Sequence, residues 1–237
     1  MVTSNHIQIL DQIEWLVSVK HPSRLLKTEF GFATGTDADA LLARSCHALQ
    51  VHGANLVDGQ AANPKAQNRP EADGLYTTLR GETVAVKTAD CLPILMRGES
   101  PDGERAIALA VHAGWRGFCA GIISNAVSMT RRTGITAETL NIIIGPAICS
   151  RHFEIGPEVL DAIHQHRPRD AGFFVQKGKG DRWHADLQTG AALELTELGV
   201  KPSRITVVRQ CTHEDASIPS YRRDGKGCGR LVSWIKL

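Results

Sequence analysis

The sequence predicts a mixed α/β protein of the α+β kind, with mixed β-sheets flanked by helices. Three observations predict it. Short β-branched runs such as "TVAVKT" and "RITVV" recur through the chain. Longer segments with apolar residues three or four apart lie between them. The two kinds do not alternate strictly, which argues against a doubly wound parallel sheet.

Strands are expected at 83–88, at 92–96 and 106–111, at 140–145, at 204–208 and at 230–235, each an apolar or β-branched run bounded by turn residues. Helices are expected at 37–49, 117–132, 157–166 and 186–198. Phe118, Ile122, Ala126 and Met129 share one face of the second, and the last starts behind Asp186 as N-cap and stops before Gly199. The polar stretch 57–73 reads as a long surface loop.

Length and charge narrow the class. A chain of 237 residues can bury a sizeable core, and with no visible linker or repeat it is expected to form one domain over 1–237. Lys and Arg number 27 against 25 Asp and Glu, a net charge of +2 with the signs interspersed, so there is no nucleic-acid footprint. The six cysteines lack C-x-x-C spacing and indicate neither a disulfide framework nor a structural zinc knot. No segment has the length of a membrane span, and the first residues lack a signal-peptide core, so a cytoplasmic protein without membrane contact is expected. The sequence leaves the oligomeric state open.

Three segments carry chemistry: "VHG" with His52, "KTADCLP" with Cys91 and "AVHAGWRG" with His112. Two imidazoles and a thiolate are one ligand short of a closed tetrahedral zinc site, the number an open catalytic site needs. A hairpin centred on Pro101-Asp102 would pair Gly98 with Arg105 and, in the same register, Cys91 with His112, close enough to hold one ion. Pro93 strains this, because proline favours an edge or a bulge. Taken singly, a cysteine after a strand is an ordinary small hydrophobe and a loop histidine is ordinary surface; the three together are not. The glycine-rich turn after His112 leads into a helix N-terminus, where free N–H groups and Arg116 suit an anion.

No phosphate loop, nucleophile elbow, dinucleotide fingerprint or cytidine-deaminase P-C-x-x-C is present. The His164-x-His166 pair sits at the polar end of a predicted helix and reads as surface.

In order, "VHG", "TADCLPIL", "VHAGWRG", "IGPAI" with "FEIG", "CT" and "SYRRDGKGCGR" resemble the motifs of the YfiH-like family, also called the laccase-domain or polyphenol oxidoreductase family. The resemblance spans roughly residues 45 to 237. It implies a layered αββα arrangement and a zinc-dependent enzyme of purine nucleosides, with phosphorolysis of adenosine, inosine and methylthioadenosine and hydrolytic deamination of adenosine. It also implies metal ligation by His52, Cys91 and His112, a site that copper could enter. The family's N-terminal Arg-Gly-Gly and Ser-Leu-Asn segments have no counterpart here; "FGFATGTDADALLARS" stands in their place.

Arg116, Arg222 and Arg223 are the expected contacts for phosphate or ribose, although either member of the latter pair has Asp224 as a neighbouring counter-charge. Asp90 and Asp73 are the acidic groups nearest in sequence for protonating the purine, and both have structural readings. Three other classes stay open: a Cys–His amide hydrolase acting on cell-wall intermediates, a copper-dependent polyphenol oxidoreductase, and a non-catalytic metal-binding protein. Small-molecule nucleoside and phosphate are the expected partners.

Overall fold

In a computed structural model, which describes residues 4–16, 29–65 and 68–237, the chain opens with α1 (Ser4–Asp11), β1 (Glu14–Leu16), β2 (Phe30–Ala33) and α2 (Gly35–Leu42). Next come β3 (Leu56–Asp58), β4 (Gly74–Thr77), β5 (Thr83–Thr88), β6 (Leu92–Glu99) and β7 (Ala106–Ala113). Then follow α3 (Trp115–Cys119), α4 (Ile122–Arg132), β8 (Asn141–Ile144), β9 (Glu154–Ile155), α5 (Pro157–His166) and α6 (Ala171–Phe174). The chain closes with β10 (Val175–Lys177), β11 (Trp183–Ala185), α7 (Leu187–Glu197), β12 (Ile205–Val208), α8 (Tyr221–Asp224) and β13 (Leu231–Lys236).

Seven strands form a mixed sheet in the order β1-β12-β8-β6-β7-β4-β3, and β2-β13-β5 form a second, antiparallel sheet. β6 and β7 lie inside the large sheet and are covered on both faces, which is why both read as unbroken apolar runs rather than alternating ones. Side chains alternate between two cores. Ile94, Met96, Ile107, Leu109 and Val111 face the helices with Phe118, Ile122 and Ala191. Leu95, Ala108 and Ala110 meet Val84, Val86 and Ile235 of the small sheet. On the far face of that sheet, Ala85 and Val232 pack against Ala38 and Leu41 of α2. The layers are therefore helix, sheet, sheet, helix, the αββα arrangement that the resemblance implies. Each fully buried large side chain, such as Phe118 or Ile122, contributes about 1.5 to 3 kcal/mol relative to an exposed one.

The structure revises four local expectations. The first helix ends at Leu42, seven residues before position 49, because Cys46 leaves to bridge Val84 and its N–H bonds the Thr83 carbonyl at 2.9 Å. The second is two helices, broken where Gly121 takes φ 82°, a left-handed conformation glycine accepts without strain. Its apolar face survives, with Phe118, Ile122 and Ala126 buried and Met129 partly so. The stretch 57–73 is not a free loop: Gly59, Ala62, Ala72 and Asp73 are buried, and β3 and a 3-10 turn at Gly59–Ala62 occupy its first part.

The hairpin register is shifted by two: Pro93 stands opposite His112 and Gly98 opposite Ile107. Ser100 causes it. Its N–H reaches the Arg105 carbonyl at 2.8 Å, its hydroxyl accepts from Arg105 N–H at 3.0 Å, and Gly103 turns the loop at φ 73°. Residues 101–104 thus become the loop, centred between Asp102 and Gly103, one residue later than a turn centred on Pro101-Asp102. A shift of two keeps every side chain on its face, so Cys91 meets His112 diagonally across the end of the ladder rather than head-on. Pro93 is tolerated in an interior strand because it sits at the end of the ladder with β8: its carbonyl accepts the Gly145 N–H at 2.8 Å, and the Gly145 carbonyl, which a proline cannot serve, takes the Gln188 side-chain amide at 2.8 Å.

Candidate metal centre and cavity

His112 lies near the end of β7, 3 % exposed, while Cys91 precedes β6 by one residue and His52 lies on a separate turn. One donor atom from each of the three comes within 4.8 Å of the others, and the two imidazole rings sit edge to face at 4.9 Å. The "VHG" turn is held by a single carboxylate. Asp73, fully buried, accepts N–H groups from Val51 at 3.2 Å, His52 at 2.9 Å and Gly53 at 2.6 Å, and His112 Nδ1 at 2.7 Å. It therefore fixes His52 in a left-handed conformation, φ 61°, and turns His112 Nε2 toward Cys91. A carboxylate behind a histidine is how metal-ligating imidazoles are oriented.

Electrostatics agree with the geometry. Burial opposes the charge on Asp73, but hydrogen bonds from His112 and the turn amides outweigh it and hold the carboxyl below its ordinary value. Burial would raise the Cys91 thiol, yet hydrogen bonds with His112 and His52 bring it to about 7. Burial likewise opposes a charged His112, which Asp73 and Cys91 hold up at about 9.

The donor set fits a soft or borderline metal, and Gly114 shows the room left for one. A Cβ on that residue would lie 3.0 Å from His52 Cδ2, 3.1 Å from Cys91 Sγ and 3.7 Å from His112 Nε2, so any side chain would enter the space between the donors. Gly117 is needed for a similar reason, since its Cβ would stand 2.7 Å from the Gly53 carbonyl where α3 crosses the histidine turn.

The three donors open on a cavity of about 630 Å³ walled by Trp115, Phe153, Ile148 and Tyr221, within the roughly 300 to 1,000 Å³ usual for small-molecule sites. Lys87, Arg116, Arg222 and Arg230 give this wall four cations. Arg116 stacks on Trp115 with 4.3 Å to the ring and has no carboxylate partner among the described residues. Arg222 lines the cavity while donating to the carbonyls of His152 at 3.0 Å and Glu154 at 3.3 Å.

Arg223 does not reach the cavity. Its guanidinium donates to the carbonyls of Thr212, His213, Asp215 and Ile218 and pairs with Asp224, so it shapes the loop that presents its neighbour. Asp90 is similarly committed: at φ 80° its carboxylate accepts the Thr212 hydroxyl at 2.6 Å and the Arg222 N–H at 2.7 Å. The helix end after His112 starts at Trp115, two residues earlier than expected, and belongs to a five-residue helix. Sequence reasoning gave no role to Lys87, Arg230 and Phe153, although Phe153 opens the "FEIG" motif, Arg230 closes "SYRRDGKGCGR" and Lys87 is the only charge in the strand "TVAVKT".

Fold and site together define a class: a layered α/β protein in which three candidate metal donors stand beside a cavity of small-molecule size. Residues 32–237 match the family model described as multi-copper polyphenol oxidoreductase laccase. The chain belongs to this laccase-domain, or YfiH-like, family. It is 37 % identical over 189 residues to a Shigella flexneri protein named purine nucleoside phosphorylase YfiH, covering 79 % of this chain and 72 % of the relative. The Escherichia coli K12 protein of the same name is 36 % identical over the same shares. Among solved structures, YlmD from Geobacillus stearothermophilus superposes with a TM-score of 0.80 at 25 % identity, covering 92 % of this chain and 94 % of that one.

Proposed function

We propose that the protein is a zinc-dependent purine nucleoside phosphorylase, converting adenosine, inosine or methylthioadenosine and inorganic phosphate to the free purine and the ribose 1-phosphate. The same cavity would hydrolyse adenosine to inosine and ammonia. The observation that carries this reading is an open set of His52, Cys91 and His112 facing a wall of four cations across one cavity. The names of the relatives support the choice of purine nucleosides.

His52, Cys91 and His112 would hold the ion, which when bound supplies Lewis acidity to a group placed against it. Arg116 and Arg222 would take the phosphate, and Trp115 and Phe153 offer flat faces to the base. Phosphorolysis places negative charge on phosphate and on the departing purine, and cations fixed before the reaction favour that distribution. Asp73 accepts four hydrogen bonds and has no free lone pair for the purine, whereas Asp90 lines the cavity with one hydrogen bond on each oxygen and keeps capacity toward a bound base.

Metal-defined protein incubated with adenosine and phosphate should yield adenine and ribose 1-phosphate, with inosine as the water-dependent product. Cys91→Ala should lose the metal with the fold intact; full zinc retention would overturn the ligand assignment. Arg116→Ala should raise the KM for phosphate about tenfold, the worth of one charge-assisted hydrogen bond, and affect deamination less. Equal losses in both reactions would make Arg116 structural.

A second reading rests on the Asp73–His112–Cys91 series, which in metal-free form has the order of orienter, base and thiol nucleophile. It predicts amide hydrolysis by chelator-treated protein, the reverse of the metal requirement above.

A further inference from the structure

Behind the cavity wall lies a second group of soft donors. Ala147 bridges Cys211 in parallel, and Thr212 N–H donates to the Ala147 carbonyl at 3.1 Å. That pairing lays Cys149-x-x-His152 alongside Cys211-x-His213-Glu214. Donor atoms of Cys149, Cys211 and Glu214 all fall within 4.8 Å of one another. The Cys149 N–H points at Cys211 Sγ at 3.3 Å, the kind of donor that stabilises a metal-bound thiolate, and Cys149 Sγ lies 3.7 Å from Glu214 Oε1. Around these three stand outer partners: Arg151 and His152 donate to Glu214 at 2.7 and 3.0 Å, and His152 stacks on His213 at 4.0 Å. Outer donors of this sort orient metal ligands.

We propose that Cys149, Cys211 and Glu214 form a second metal site that takes a thiophilic divalent cation of the zinc type, with solvent completing the coordination. The charges balance: two thiolates and a carboxylate carry −3, the cation +2 and the Arg151 guanidinium +1. Uptake releases the two thiol protons to solvent. Cys211 is buried and Glu214 exposed, so the site opens outward and can be filled in the folded protein.

Its position gives it a purpose. The segment it clamps carries Ile148 and Phe153 into the catalytic cavity, and its His152 and Glu154 carbonyls receive Arg222. The ion would hold that wall rather than take part in the reaction.

The test is a count. Phosphine-reduced, chelator-stripped protein is loaded with Co²⁺ and analysed for metal per chain and for sulfur-to-cobalt charge-transfer absorption. Wild type should bind two ions, Cys149→Ser/Cys211→Ser one, and Cys91→Ser the other one. One ion in wild type, two in the double variant, or a mass lower by two hydrogens without a second ion, showing a disulfide instead, would overturn the proposal. Two ions retained by Cys91→Ser would overturn only the primary ligand assignment. If the double variant fails to fold, Glu214→Gln serves: it should weaken the second ion's affinity about tenfold or more with the first unchanged, and equal affinity would refute the site.

Discussion

Replacing Asp73 with asparagine separates orientation from charge at the heart of the site. The carboxylate takes two donors on each oxygen: His52 N–H and His112 Nδ1 on Oδ1, Val51 and Gly53 N–H on Oδ2. An amide accepts on one oxygen only, so whichever way it is turned two donors face an NH₂ group. Hydrogen bonds to a charged group are worth about 1.5 to 3 kcal/mol each, so the loss is at least about 3 kcal/mol, or about 6 to 12 °C in Tm for a chain of this size. Metal affinity should fall about 10- to 100-fold, since the imidazole loses its orienting partner. Thermal unfolding of metal-free protein and competition against a chelator measure the two effects.

The pH dependence has a definite sign. Asp73 titrates below its ordinary 3.8 in the folded protein, so its stabilisation is complete above that value and disappears as pH falls through the depressed one. The stability gap between wild type and Asp73→Asn should therefore close in acid, below pH about 4. A variant with unchanged Tm and zinc affinity would refute the role given to this carboxylate.

Gly114→Ala should abolish metal binding while leaving the metal-free fold nearly as stable, because φ −66° suits any residue and the methyl group meets only the side chains of His52, Cys91 and His112; elemental analysis beside a Tm measurement decides it, and normal metal content would place the ion elsewhere. Copper-loaded protein should oxidise phenols far more slowly than the zinc form turns over nucleosides, since the chain has ten histidines but a single H-x-H and no histidine within ten residues of Cys91. Four coppers per chain with an intense blue absorption band would defeat that expectation.

Local pattern determined much of this protein. β5 spans 83–88 and α5 spans 157–166 as the runs and periodicity dictate, because period and turn residues act over a few positions. The three soft donors were equally legible, since histidine and cysteine beside glycine-rich turns carry their chemistry in their identity. Tertiary structure decided what depends on partners distant in the chain. The hairpin register followed the Ser100 hydrogen bonds rather than the Pro-Asp centre. Asp73 became the organiser of the candidate metal centre through contacts 20 to 39 residues away. Arg222 and Arg223, adjacent in sequence, were separated into cavity wall and loop brace by which carbonyls each could reach. Cys149 and Cys211 are 62 residues apart and lack C-x-x-C spacing, so only the bridge at Ala147 brings the two half-motifs together. Spacing reports neighbours along the chain, whereas a site is assembled from neighbours across the sheet.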